Sequence, residues 1–162
     1  MQSPVPAMSH SLTALSKILA KAQAFEDAKK MKPDVIPNLR LIADMLPFWR
    51  QITICCDHAK GAAARLGGLD NPVFEDKEET LADLQDRIAK TLAFIATVPD
   101  SAFVGAEDRT ITIKAGPREI TFVGAQYMAS YAVPNFYFHM SVAHCILRAN
   151  GVDVGKTDFL GA

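Results

Sequence analysis

The chain has 162 residues, a formal net charge of −1 at pH 7 and an apolar fraction of 49%. This length fits one domain, residues 1–162, with enough apolar side chains to bury a core without disulfides or metal. The near-neutral charge provides no long-range attraction to nucleic acid or anionic lipid, so we expect neither nucleic acid nor a membrane as a partner. No apolar run approaches the ~20 residues that a membrane-spanning helix needs.

The first residues and the cysteines bear on the cellular compartment. Residues 1–6 lack the basic start and the apolar stretch that are typical of a signal peptide. Cys55, Cys56 and Cys145 are an odd number without disulfide-like spacing, as is typical of reduced thiols. We therefore expect a cytoplasmic protein whose cysteines are small core residues.

Four long stretches show helical periodicity, and they predict helices near residues 7–31, 44–67, 78–98 and 124–150. Asp44 is a suitable N-cap for the second helix, and Pro47 is tolerated in its first turn. Pro134 lies inside the fourth helix, so we expect a kink or a brief break there. The tail, residues 152–162, is predicted to be irregular.

Between the third and fourth helices the apolar period changes from about 3.6 to 2. Residues 110–113 (TITI) and 119–122 (EITF) alternate apolar and polar side chains, with Gly116 and Pro117 between them. This pattern predicts a small β-hairpin, which must pack on the helices because a lone hairpin is barely stable. The whole pattern predicts an all-α fold, an antiparallel four-helix bundle that carries this hairpin.

Two of the four histidines are candidate metal ligands. His139 falls on the inner stripe of the fourth helix and His58 borders that of the second, so both are predicted to point into the same interior. Imidazole is the commonest side-chain metal ligand, and bundle cores build metal sites from facing helices. The alternative is two buried histidines that are satisfied by hydrogen bonds.

The other polar residues of these helices are predicted to lie outside such a site. His144 follows His139 by five positions, about 140° around the axis, so it is predicted to lie on the surface or at an interface. His10 lies off the inner stripe of the first helix and is predicted to be exposed. Asp57 and Lys60 are three residues apart and are predicted to form an exposed ion pair.

A face of small residues on the second helix suggests close packing against another backbone. Gly61 is followed by Ala62, Ala63 and Ala64. Such a face indicates either tight packing between helices or a subunit contact. Together with the aromatic-rich fourth helix it favours a homodimer, the commonest oligomer.

Five strings of the sequence are characteristic of one family. They are residues 40–45 (RLIADM), 57–66 (DHAKGAAARL), 134–139 (PNFYFH), 150–152 (NGV) and 155–160 (GKTDFL). Together they resemble a bacterial family of unknown function in the DinB/YfiT-like superfamily, and the resemblance covers essentially the whole chain. It implies an up-down-down-up four-helix bundle that is often dimeric.

The resemblance also implies a metal site. Superfamily members that bind metal use three histidines, one from the second helix and two that are four residues apart on the last. His58 matches the helix-two ligand and His139 the first of the paired ligands, whereas Ala143 stands at the third position. The implied cofactor is a divalent metal, zinc or nickel. The implied activities are thiol-dependent transfer or isomerisation, or hydrolysis.

Two functions follow from these observations. The first is a divalent-metal-dependent enzyme in which His58, His139 and water hold the ion, more weakly than the three protein ligands usual in catalytic zinc sites. The second is a non-catalytic module with a degenerate metal site, which binds a small molecule or acts through dimerisation. The pocket of that module is predicted to be lined by Trp49, Tyr131, Phe138 and His139.

Overall fold

In the computed structural model, which describes residues 1–162 except for the side chain of Ala115, most of the chain is helical. The long helices are α1 (Val5–Lys29), α3 (Phe48–Gly67), α4 (Leu81–Ala96) and α6 (Val133–Ala149). The short ones are α2 (Val35–Asn38), α5 (Gly124–Tyr127) and α7 (Lys156–Leu160). Strands β1 (Thr110–Ala115) and β2 (Arg118–Val123) pair antiparallel between α4 and α5. The predicted mostly helical fold with a small hairpin is therefore confirmed.

The four long helices bury their apolar faces in one shared core. On α1, for example, Leu12, Leu15 and Ile18 are fully buried, at the spacing that the sequence predicts. Burial of each such side chain contributes about 1.5–3 kcal/mol. None of the helices in the described part of the chain is both long and apolar enough to cross a membrane.

Contacts along the helices give their relative directions. Early α3 meets α6 through Gln51 and His139, whereas late α3 meets α5, which precedes α6 in the chain, through Arg65 and Tyr127. The two segments therefore run antiparallel. Near α4, Asp57 pairs with Arg87 while Gly67 lies against Val98, so α3 and α4 run parallel.

The remaining two pairs involve α1. Ser11 lies 3.3 Å from the hydroxyl of Tyr137, and Phe25 packs near Gly151, so α1 and α6 run parallel. Ser16 of α1 donates a hydrogen bond to Gln85 of α4 at 2.7 Å. Since α6 is antiparallel to α3, and α3 is parallel to α4, α6 is antiparallel to α4. Because α1 is parallel to α6, α1 also runs antiparallel to α4.

Two helices begin later than the sequence predicts. The second long helix begins at Phe48 with Pro47 as its N-cap, so the predicted start at Asp44 is wrong. Proline disfavours helical dihedral angles at the residue before it, which keeps Leu46 outside the helix. The third begins after Thr80, whose hydroxyl accepts from the amide of Asp83 in a capping box.

A single π-helical turn, Met128–Ala132, joins α5 to α6. It ends two residues before Pro134, which has no amide hydrogen to donate to the carbonyl four residues back. The predicted break at this proline therefore takes the form of one widened turn. Tyr131 lies on this turn and contacts the candidate site described below.

The prediction of an irregular tail is wrong. Residues Lys156–Leu160 form α7, whose first turn is stabilised because the amide of Gly155 donates to the carboxylate of Asp158 at 2.9 Å. This short helix packs on α1, where Nε2 of His10 lies 2.7 Å from the carbonyl of Leu160. The G-x-x-D pattern was the signal in the sequence for this helix start.

Candidate functional site

The structure brings the two candidate metal ligands together. His58 of α3 and His139 of α6, hereafter the histidine pair, have ring centroids 6.0 Å apart and planes only 13° from parallel. Both side chains are half-buried. Tyr131 approaches His58 edge-on, with ring centroids 5.5 Å apart. Metal binding by this pair stays a prediction.

Gln51 is the hydrogen-bond partner of His139, and it was missed in the sequence. Oε1 of this buried amide lies 2.7 Å from Nδ1 of His139, while its Nε2 donates to the carbonyl of Leu46 at 3.0 Å. Gln51 precedes His58 by seven residues, about two turns, on the same helix. Asn135, one turn before His139 on α6, donates instead to the carbonyl of Tyr131.

The electrostatic surroundings keep both imidazoles neutral. Burial, with a further contribution from His139, lowers the pKa of His58 to about 4. Burial and the cationic side chain of Arg50 lower the pKa of His139. Neutral imidazole is the form that binds a metal ion or accepts a hydrogen bond, so this pair is in a binding-competent state near neutral pH.

His58 and Tyr131 line a cleft of about 280 Å³. This hairpin cleft is bounded by α3, strand β1 and the loop of residues 71–74. The side chains that bear on its chemistry are Asp57, His58, Lys60, Arg65, Phe74 and Tyr131. Its walls thus combine charged groups with aromatic surface, as is common for small-molecule sites.

An ion-pair network fixes the loop wall of the cleft. The guanidinium of Arg87, only 2% exposed, contacts the carboxylates of Asp57, Asp76 and Glu78 at 2.9–3.3 Å. Lys60 contacts Asp57 at 3.1 Å, and both cations lie over the ring of Phe74. The predicted ion pair of Asp57 and Lys60 is therefore present, but its predicted exposure is wrong for Lys60, which the loop covers and leaves 5% exposed, while Asp57 is 41% exposed.

Arg65 lies along α3 towards His58. Gly61 makes this possible, because a Cβ there would clash with Nη1 of Arg65 and lie 3.3 Å from its Cζ. Nη1 donates to the hydroxyl of the fully buried Tyr127 at 3.1 Å. Ala62, Ala63 and Ala64 are fully buried within the chain. The face of small residues therefore serves internal packing.

The other predicted pocket residues lie apart from the cleft. Trp49 faces a separate depression beside α2. Phe138 is 54% exposed and touches His139 edge-on. Of the remaining histidines, His10 is exposed as predicted, whereas His144 is half-buried beneath the tail, with Nε2 3.2 Å from the carbonyl of Gly155.

The cysteines divide into two groups. Cys55 and Cys56 are buried as predicted, whereas Cys145 is exposed, so the expectation that all three are core residues is wrong. Its neighbours Ala143 and Ile146 face the core, which turns Cys145 outward. Burial raises the pKa of Cys56 to about 12 and that of Cys55 well above its usual value. Neither buried thiol is a ready nucleophile.

The donor set fits only part of a metal site of the three-histidine type. Ala143 has no ligand atom and is fully buried. Within the described residues, no group of three or more His, Cys, Asp or Glu side chains is placed to hold an ion. The histidine pair alone supplies two neutral imidazoles, one of them oriented by an outer hydrogen bond as metal ligands commonly are.

Comparison with known proteins agrees with this fold. The chain is 41% identical to a DinB family member protein from Shewanella denitrificans, whose crystal structure matches with a TM-score of 0.90 over 98% of this chain and 89% of that one. No curated protein sequence matches the chain. The profile of the family described as a domain of unknown function, DUF1993, matches residues 1–160. Since that match spans nearly the whole sequence, this protein belongs to the DUF1993 family.

Proposed function

We propose that this protein is a divalent-metal-dependent enzyme that acts on a small molecule in the hairpin cleft. The histidine pair would hold the ion, zinc or nickel, as two protein ligands. The observation that supports this is the approach of two neutral imidazoles beside the cleft, with Nδ1 of His139 held by Gln51. The resemblance to a superfamily with metal-binding members agrees with it.

The separation of the two rings suits a weakly held ion. Two imidazoles on one tetrahedral zinc have centres about 5 Å apart, because each Zn–N bond is about 2.0–2.1 Å long. The observed distance between the ring centroids is 6.0 Å, so the two imidazoles must move about 1 Å closer together to bind one zinc ion. With Ala143 at the third position, water and the small molecule are left to complete the coordination.

The chain's own residues would bind and orient the small molecule. Tyr131 and Phe74 offer aromatic surface, and Gln51 keeps His139 in one orientation. When bound, the ion supplies a Lewis acid or activates a bound water or thiol. Thiol-dependent transfer or isomerisation, or hydrolysis, are the reaction types that we propose for this site.

A second candidate is a non-catalytic module that binds a small molecule in the same cleft. The observation that favours it is Ala143, which leaves the metal site one protein ligand short. In this alternative the histidine pair contacts the small molecule directly or through water. Metal uptake distinguishes the two candidates.

We also propose how the four long helices are arranged and how the chains assemble. The contact directions of α1, α3, α4 and α6 support an up-down-down-up four-helix bundle. We also propose a cytoplasmic homodimer, although Ala62, Ala63 and Ala64 are buried within one chain and cannot form its interface. The exposed Phe138 of α6 is the aromatic that remains available. Light scattering at tens of micromolar tests this, and a monomer mass would contradict it.

Calorimetric titration of the chelator-treated protein with Zn²⁺ and Ni²⁺ tests the metal site. We expect one ion per chain in the wild type, and no stoichiometric uptake in His58→Ala, His139→Ala or the double variant. His144→Ala is the matched control and should bind as the wild type does. Stoichiometric uptake by the double variant would show that the ion lies elsewhere. No uptake by the wild type would favour the non-catalytic module.

A further inference from the structure

We infer that the hairpin cleft takes a small organic anion whose carboxylate is bound by Arg65. This inference deepens the proposed function, because it names the class of small molecule for the same cleft. It depends on one part of that proposal, namely that the cleft binds a small molecule. It does not require that the histidine pair binds an ion.

The position of Arg65 is built into the fold. Gly61 lies in the middle of α3, where glycine is a poorer helix former than alanine. The space that its missing side chain leaves is occupied by the guanidinium of Arg65. The hydroxyl of the buried Tyr127 then accepts from Nη1, which holds the guanidinium along the helix on the side that lines the cleft.

The cleft has an excess of positive charge. Its lining contains the cations of Lys60, Arg65 and Lys114 against the single carboxylate of Asp57. Asp57 is already engaged by Lys60 and by Arg87 of the loop network. Among the described residues, neither Arg65 nor Lys114 takes part in an ion pair. Two positive charges therefore border the cleft without a protein counter-charge.

The geometry of a guanidinium favours a carboxylate. Arg65 carries five N–H donors, and its only hydrogen bond to the described part of the chain goes from Nη1 to Tyr127. The remaining donors suit a bidentate pair with a planar carboxylate. His58 and Tyr131 line the same cleft, so a carboxylate on Arg65 would place the body of the molecule near the histidine pair.

The walls and size of the cleft limit the rest of the molecule. Phe74, Ile113 and Tyr131 provide apolar surface, and a volume of about 280 Å³ is at the small end for ligand sites. An anion with a small apolar body matches both features. Inorganic phosphate matches the charge but not the apolar walls. A neutral analogue matches the walls but leaves Arg65 and Lys114 unpaired.

Ligand-observed NMR and calorimetry with benzoate as the probe test this inference in the chelator-treated full chain. We expect benzoate to bind, and both neutral benzamide and inorganic phosphate to bind at least tenfold more weakly. Arg65→Gln should lower benzoate affinity by about tenfold or more, as loss of a charge-assisted bidentate bond predicts. Arg65→Lys should recover part of it. Arg148→Gln, at an exposed arginine outside the cleft, is the matched control and should not change it.

Gly61→Ala provides a second variant that does not depend on removing the charge. Alanine is the better helix former, so the melting temperature should rise, while the displaced guanidinium should weaken benzoate binding. Equal binding of benzoate and benzamide, or unchanged affinity in both Arg65→Gln and Gly61→Ala, would overturn the inference. Phosphate binding as strong as benzoate binding would also overturn it.

The two proposals fail separately because benzoate binding is measured without metal. Metal uptake without benzoate binding would remove this inference and leave the metal site. Benzoate binding that depends on Arg65, in a chain that takes up no Zn²⁺ or Ni²⁺, would remove the metal site alone. That second outcome would identify the cleft as an anion-binding pocket of a non-catalytic module.

Discussion

The side-chain amide of Gln51 fixes the tautomer of His139. Because Nε2 of Gln51 donates to the carbonyl of Leu46, its Oε1 faces the histidine and accepts a hydrogen bond from Nδ1. The proton of the neutral ring is therefore on Nδ1. The other ring nitrogen, Nε2, has a free lone pair, which is the state required of a metal ligand or a hydrogen-bond acceptor.

Gln51→Ala should therefore lower the affinity for Zn²⁺ or Ni²⁺ by about 10–100-fold, the usual effect of losing an outer-shell partner. Calorimetric titration measures this loss. Gln85→Ala is the matched control, since Gln85 also makes two side-chain hydrogen bonds, both to Ser16 and far from the histidine pair. If the two variants lose affinity equally, or neither loses any, then Gln51 does not orient a ligand.

Arg87→Met should destabilise the fold and loosen the loop wall of the cleft. Asp57 and Asp76 are 41% and 37% exposed, so they keep part of their hydration when the cation is removed. We therefore expect a loss of about 2–3 kcal/mol in the free energy of unfolding, below the 3–5 kcal/mol typical of a fully buried pair. Urea unfolding measures this loss.

The control for Arg87→Met is Lys77→Met, which removes an exposed ion pair with Glu75 in the same loop. Both partners are at least 70% exposed, so this substitution should cost close to nothing. A loss for Lys77→Met as large as that for Arg87→Met would show that general loop charge, and not the buried guanidinium, determines the effect.

Helical periodicity was sufficient to predict the long helices and the approach of His58 to His139. Both depend on which side of a helix a residue occupies, and a spacing of three or four residues determines that side. The sequence also indicated the hairpin, because its alternation has a period of two. The break at Pro134 could be predicted because proline has no amide hydrogen.

Contacts between distant segments could not be read from periodicity. Gln51 is hydrogen-bonded to His139, 88 positions away. Arg87 of α4 contacts both α3 and the loop that precedes α4. Arg87 was not singled out because a charged residue on an amphipathic helix is ordinarily solvated. The role of Gly61 was misassigned for a similar reason. Only the structure shows that the side chain of Arg65, one turn later in the helix, fills the space beside it.

Substitutions in the core should lower the free energy of unfolding more than a substitution beside the tail. Leu84 and Ile52 are fully buried, so Leu84→Ala and Ile52→Ala should each cost about 2–5 kcal/mol. His144→Ala removes a contact with the carbonyl of Gly155 and with the ring of Phe159, and we expect a cost of about 1 kcal/mol. Thermal melts measure all three, and equal losses would contradict this assignment of inner and outer positions.

The His144 variant has a second, local readout. Because His144 contacts the tail at Gly155 and at Phe159 of α7, His144→Ala should speed proteolytic cleavage after residue 152 without changing cleavage elsewhere. Leu84→Ala should speed cleavage throughout the chain, since it lowers global stability. Unchanged cleavage of the tail in His144→Ala would show that α7 is held by other contacts, such as that of Lys21 with Asp158.

Acid should destabilise the protein through the histidine pair. The pKa of His58 is lowered to about 4 in the folded chain, against about 6.5 in an unfolded one. Between these values the unfolded chain binds a proton that the folded chain excludes, so the free energy of unfolding falls as the pH is lowered from about 6.5 towards 4. Above about pH 6.5 the imidazole is neutral in both the folded and the unfolded chain, so this loss of stability is absent.

Urea unfolding at several values of pH measures this dependence. The shift corresponds to about 3 kcal/mol as an upper bound, and partial exposure of His58 reduces it. His58→Gln should flatten the curve over this window, because it removes the titrating imidazole, and only the smaller contribution of His139, whose pKa burial and Arg50 lower in the same direction, then remains. The carboxylate of Asp83, whose pKa is below its usual value, loses its stabilising contribution only at more acidic pH. A His58→Gln variant with the same slope as the wild type between pH ~6.5 and ~4 would assign the acid sensitivity to other groups.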